Sequence, residues 1–173
     1  RGALAPSDFA TDFVPAARIW RGEPPGVDTE AGNAEAVMLG VPGYTAFGTP
    51  YRAHPPPSVM LVALLVPAGW SAALGIWIAL SLLAIGVLAW VSAKVLAPER
   101  PMRAAVALFV AIALWPPTLH NLEKGQWSLL IAGLLALAFH VGRRGRSGVA
   151  GALVAVAGSF KIVPFVLLAA FVS

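Results

Sequence analysis

From Ala53 to Val91 the chain carries no Lys, Arg, Asp or Glu, and this run constrains the fold more than any other feature. Long uncharged stretches broken by short charged loops are the pattern of an integral membrane protein. The composition agrees: 58% of the 173 residues are hydrophobic and 12% charged, about half the roughly 25% charged content of an average soluble domain. The formal net charge of +4 and sequence pI near 10.1 do not indicate nucleic acid, because the basic residues are not clustered between polar stretches. Arg1 to His54 holds four basic and six acidic residues, a net −2, whereas Pro55 to Ser173 holds eight and two, a net +6. The chain has no cysteine, hence no disulfide framework and no Cys-based metal site. It opens at Arg1 and stops at Phe171-Val172-Ser173 inside an apolar run, so the expectation is the N-terminal part of a longer protein.

The expected fold is all-α, a polytopic transmembrane helical bundle. Residues 1–54 form a polar, proline- and glycine-rich outer loop with an amphipathic helix, and residues 55–173 form the membrane part. Pro57 to Val66 is too short to cross a hydrocarbon core of roughly 30 Å and reads as a re-entrant or interfacial helix. After the turn at Pro67-Ala68-Gly69-Trp70, Ser71 to Ala93 is long enough to span, with Trp70, Trp77 and Trp90 as interface anchors. The charged loop Pro98 to Arg103 precedes a shorter apolar helix, Ala104 to Trp115, closed by Pro116-Pro117. A polar knot from Thr118 to Gln126 follows, then a second span from Trp127 to Val141. Three arginines within Arg143-Arg144-Gly145-Arg146 place that loop in the cytoplasm under the positive-inside rule. Counting back by parity puts the polar knot, the start of the Ser71 helix and residues 1–54 outside. The segment from Gly148 runs outward and reaches Lys161 after about 20 Å of helix, and Pro164 then kinks or divides it.

Asp8 and Asp12 stand four apart, so a helix places both carboxylates on one face beside a strip of Phe9, Phe13 and Ala16. That segment reads as an amphipathic helix on a membrane surface, ended by Gly22 and Pro24-Pro25, with Pro15 able to break or kink it. The plain alternative is that both acids are solvated charges or that Ser7 or Asp8 caps the helix. Lys161 lies in a strongly apolar segment, where a charge costs at least about 2.5 kcal/mol unless it finds a partner or snorkels. A phosphate is a fitting partner. Gln126 opens the Trp127 helix, where amide donors and a helix N-terminus favour an anion or serve simply as a cap. His120 and Asn121 adjoin it at the Pro116-Pro117 turn, and His54 stands ahead of two prolines. Three dispersed histidines give no metal site, and no cofactor is expected, although an Asp8 and Asp12 pair leaves a divalent ion open.

Four motifs, in order, resemble glycosyltransferase family 87. They are Asp8-Phe9 with Ala16-Ala17-Arg18 and Gly22; Tyr51-Arg52-Ala53-His54-Pro55-Pro56, similar to an aromatic-x-x-Tyr-Pro-Pro segment; Asn121 with Gly125-Gln126; and Ala150-Gly151 with Lys161 and Pro164. His54 replaces the usual Tyr, and Gly26 stands where a Tyr follows Gly22 in the family pattern. The resemblance implies a polytopic enzyme of a bacterial plasma membrane with its active site facing outside. It implies inverting transfer of a hexose, expected to be mannose, from a polyprenyl-phosphate donor to a lipid or glycolipid acceptor. Asp8 is then the catalytic base, and Asp12, Tyr51, His54, His120, Asn121, Gln126 and Lys161 are candidate substrate contacts. The expected partners are the bilayer, the lipid-linked donor and the acceptor, with no nucleic acid. A transporter or lipid flippase, in which Lys161 and broken helices line a path, is the alternative; a non-catalytic membrane scaffold is a third reading.

Overall fold

The computed structural model describes residues 7–25, 29–42 and 56–161, and every regular element among them is helical. In chain order these are α1 (Ser7–Trp20), α2 (Thr29–Met38), α3 (Pro56–Ala63), a 3₁₀ turn (Val66–Ala68), α4 (Trp70–Leu96), α5 (Pro101–Ala113), α6 (Pro116–Lys124), α7 (Ser128–Gly142) and α8 (Ser147–Phe160). Contacts divide the chain into two compact units. The first takes residues up to Ile78 together with Glu123–Gln126, and the second takes Ala79–Leu122 and the residues from Trp127 onward.

In the first unit α1 packs chiefly on α3. Its buried residues are Phe9, Ala10, Asp12, Phe13, Val14, Ala16 and Ala17, which at 100° per residue cover roughly 200° of the helix circumference. A helix apolar over so wide an arc is a buried one. The expected membrane-surface helix is therefore corrected: the strip of Phe9, Phe13 and Ala16 faces protein. Phe9 lies with its ring centroid 5.6 Å from Trp70 and 5.8 Å from Trp77, and Phe13 meets Trp70 edge-on at 5.3 Å. Trp70 and Trp77 are accordingly buried and do not serve as the interface anchors expected of them. Each buried Phe side chain is worth about 1.5–3 kcal/mol, and each ring pair adds about 0.5–1.5 kcal/mol. That sum offsets Pro15, which costs a helix interior about 3 kcal/mol and which α1 passes through unbroken.

Gly22 ends α1 as expected. Its φ of 75° is open to glycine at no steric cost, and the turn closes with Glu23 N donating to Arg18 O and Gly22 N to Ile19 O, both at 2.9 Å. This is the Schellman closure. Beyond it, α2 is tied back to α1 by charge. Buried Glu35 accepts from Arg18 Nη1 at 2.9 Å and from Arg21 Nη2, while Arg18 Nε donates to Pro24 O at 2.7 Å.

The second unit is built around α4, α7 and α8, and α7 and α8 form a tightly packed hairpin. Gly133 on α7 brings its backbone against α4, for a Cβ built there would stand 2.7 Å from Ala84 Cβ and 2.9 Å from Ala84 Cα. Close backbone approach through small residues is how apolar helices gain dispersion contacts without a hydrophobic drive between them.

Among the described residues one helix, α4, is long and apolar enough to cross a membrane: 27 residues, about 40 Å. The pair α5 and α6, bent by 63° at Pro116-Pro117, makes a second if counted as one broken span. The other expectations change. The polar knot over 118–126 is largely helical, because α6 starts on Pro116, where a proline fits the first turn. The second span expected over 127–141 is a helix of 15 residues, about 22 Å, short of a core of roughly 30 Å. The Pro57 segment is a helix of eight residues, about 12 Å, too short to cross. Pro164 lies outside the described residues.

Three substitutions test these contacts. Gly133→Leu should lower stability by about 1–3 kcal/mol through overpacking against Ala84, read as a fall in melting temperature in detergent. Gly151→Ala, whose added Cβ meets nothing within 4 Å, should not lower it. Glu35→Gln should cost about 2 kcal/mol, since hydrogen bonds to a charged group are worth roughly 1.5–3 kcal/mol, and limited proteolysis should then cut first between α1 and α2.

Candidate functional site

Asp8 sits in the first turn of α1 and is half-buried, at the rim of the buried arc. Its main-chain oxygen accepts from Thr11 Oγ1 at 2.7 Å. Asp12, one turn on, has no exposed surface. The two carboxylates share a face, as the i, i+4 spacing requires, yet they differ in access. The solvated-charge reading of Asp12 is thus corrected, because the same Phe9 and Phe13 contacts that seat α1 carry position 12 inside. Of the two, only Asp8 offers surface to an incoming hydroxyl. The neighbouring charges are bound up elsewhere: Arg21 donates to Glu23 Oε1 at 2.8 Å and holds that carboxyl below its ordinary range.

In the second unit Lys161 follows directly on α8, in extended backbone at its C-cap. Its ammonium donates to Ser128 Oγ at 2.9 Å. Ser128 is the first residue of α7, whose N-cap residue Trp127 makes no side-chain cap hydrogen bond. Phe160 stacks on Trp127 with ring centroids 5.0 Å apart and planes 8° from parallel, and this contact fixes the end of α8 beside the start of α7. The first-turn N–H groups of a helix have no intrahelical partner and carry about half a positive charge. An ammonium brought to that end adds a full one. Ser128 accepts from Lys161 and keeps its own hydroxyl proton to donate. Ammonium, hydroxyl and helix N-terminus together make a cradle of positive charge and donors, the chemistry that favours an anion.

The other sequence candidates fall in several places. His120 and Asn121 lie on α6, with His120 exposed and Asn121 Nδ2 donating to Pro117 O at 2.9 Å, a bond along the helix itself. They stand on a helix and not in the turn expected for them. Gln126 is half-buried in the short link before α7 and belongs to the first unit with Asp8 and Asp12; His120, Asn121 and Lys161 belong to the second. Tyr51 and His54 lie outside the described residues. Among the described residues no three of His, Cys, Asp and Glu cluster at metal-binding distance. Sequence reasoning missed Ser128 and Glu35. A serine opening an apolar helix looks like any cap, and α2 has no apolar periodicity to mark Glu35 as inward-facing.

No curated protein and no solved structure matches the chain. The family model of glycosyltransferase family 87 matches residues 53–173, which takes in α3 to α8, the Asn121 to Gln126 segment and Lys161. With well over half of its length so matched, the chain belongs to glycosyltransferase family 87.

Proposed function

We propose that the protein is a membrane glycosyltransferase that moves a hexose, mannose in the first instance, from a polyprenyl-phosphate donor to a lipid or glycolipid acceptor on the outer side of a bacterial plasma membrane. Family membership carries glycosyl transfer. The observation that carries the donor class is the ammonium of Lys161 on the hydroxyl of Ser128 at the N-terminus of α7, two positive features of the fold that a lipid phosphate would neutralise together.

The chemistry asks little of the protein beyond alignment and one base. In the proposed reaction Asp8 takes the proton of the acceptor hydroxyl, the acceptor oxygen bonds to the anomeric carbon from the side opposite the phosphate, and the carbon–oxygen bond to phosphate breaks. The lipid phosphate departs with the electron pair; within the second unit, Lys161 and Ser128 are the groups proposed to receive a phosphate. Configuration inverts, and no covalent sugar–enzyme intermediate forms. Asp12 acts through Asp8, one helical turn away, as a positioning residue. Tyr51, His54, His120, Asn121 and Gln126 remain proposed substrate contacts, carried from the family resemblance. No cofactor is part of this reading.

Asp8→Asn in the full-length protein should lower transfer from a lipid-linked hexose by about 10²–10⁴ with expression and melting temperature unchanged, the range general-base help supplies. Full activity in that variant refutes the base. Lys161→Gln should raise KM for the polyprenyl-phosphate donor about tenfold while leaving KM for the acceptor unchanged, since a charged hydrogen bond contributes about 1.5–3 kcal/mol and 1.4 kcal/mol is a factor of ten. Equal changes for both substrates would remove the phosphate role. The reading also requires residues 8 and 161 to be reached from the same aqueous side, which thiol labelling of introduced cysteines measures.

A further inference from the structure

The C-terminal ends of α4 and α7 border an open cavity of about 270 Å³ in the second unit, lined by Lys94, Val95, Phe139, His140, Arg143 and Arg144 among others. Three formal cations line it and no carboxylate does. Among the described residues none of the three makes an ion pair. Lys94 Nζ instead sits 4.1 Å above the ring of Trp90, and Arg143 lies 5.8 Å from the centroid of Phe139. His140 packs edge-on against Trp90 at 4.9 Å, and its Nε2 is buried with no hydrogen-bond partner. The two helix ends contribute roughly half a negative charge each. That leaves about two positive charges unbalanced around a cavity large enough for a phosphate group.

We infer that this cavity binds the phosphate headgroup of an anionic phospholipid from the leaflet that the Arg143 to Arg146 loop faces. The apolar surroundings select a lipid over a free ion. Val95, Leu96 and Phe139 are 47%, 72% and 47% exposed, so the cations stand at the edge of an apolar surface suited to acyl chains. Trp90 at this level is the aromatic found where chain meets headgroup, and the sidedness expected from the arginine loop is cytoplasmic. The phosphate accepts from Lys94, Arg143 and Arg144. Basic pockets of this kind between membrane helices bind anionic headgroups. The site is separate from the Lys161 and Ser128 cradle, at the opposite ends of α7 and α8, and its occupancy does not depend on sugar transfer.

The test is lipid retention by the full chain in nanodiscs of phosphatidylcholine with a minor fraction of phosphatidylglycerol, counted by native mass spectrometry. The triple variant Lys94→Gln, Arg143→Gln, Arg144→Gln should bind phosphatidylglycerol about a hundredfold more weakly, each basic residue near a membrane surface being worth about a factor of five. Arg144→Gln alone, at a side chain outside the ion pairs, side-chain hydrogen bonds and ring contacts seen among the described residues, should lose about fivefold, so the inference stays testable if the triple variant misfolds. The charge-keeping variant Lys94→Arg, Arg143→Lys, Arg144→Lys should retain the lipid. Undiminished retention in the neutral variants, equal loss on neutralising Arg100 and Arg103, or displacement of the lipid by millimolar inorganic phosphate at an undiscriminating site would each overturn it.

Discussion

The contact of Phe9 and Phe13 with Trp70 and Trp77 determines how the first unit works. These rings turn α1 so that a wide arc of its surface is sealed, and the placement of both acidic residues follows from that rotation. Asp12 lies within the arc and Asp8 at its rim. Had α1 floated on a membrane by a narrow apolar strip, both carboxylates would have been solvated and neither distinguished from the other. The aromatic seat removes that equivalence: one carboxylate retains access to solvent, and the other is enclosed beside it. It also carries the strain of Pro15, which an isolated helix of 14 residues would not survive.

Charge is handled differently in the two units. In the first, Arg18 and Arg21 close on Glu23 and buried Glu35, so the cations there are structural. Glu35 is the informative member, because a carboxylate with a side chain only 4% exposed must be neutralised locally or the helix that bears it will not stay in place. In the second unit the cations meet aromatic rings and a hydroxyl in place of carboxylates: Lys94 over Trp90, Arg143 near Phe139, Lys161 on Ser128. A ring or a hydroxyl orients a cation without cancelling its charge. Such groups remain able to recruit an anion, and that distinction separates the binding candidates from the ties that hold helices together.

What the sequence made legible follows from how strongly each signal is coded. The span beginning after Gly69 was readable to within a few residues because the turn Pro67-Ala68-Gly69 starts it and the charged loop of Pro98 to Arg103 follows its end. Gly22 and Pro24-Pro25 marked the end of α1, and the distance from Gly148 to Lys161 gave α8 its length. Polar helices were the failures. The composition of α6, with two prolines, a histidine and an asparagine, reads as a turn, yet prolines at the start of a helix occupy positions whose N–H groups have no intrahelical partner anyway. The acidic and small residues of α2 show no apolar stripe, and its helix is held by the arginine tie to α1, a tertiary contact that no local pattern encodes. Access at Asp12 was likewise invisible, since spacing fixes a shared face but not what covers it.

The Lys161 pairing shows how a weak sequence signal acquires chemical meaning. A lone lysine after an apolar helix reads either as a snorkelling charge or as a ligand contact. The stacking of Phe160 on Trp127 fixes where that side chain lies. It pins the residue before Lys161 to the residue before Ser128, so the side chain is led to the start of α7 instead of outward along its own helix axis. There it meets a hydroxyl and the positive end of a helix, neither of which stabilises an ammonium as a carboxylate would. A fold that holds an ammonium, a hydroxyl and a helix N-terminus together keeps positive charge at one point with no carboxylate paired to it among the described residues, and on that ground, in a family that transfers sugars, a phosphate-linked donor is the proposal.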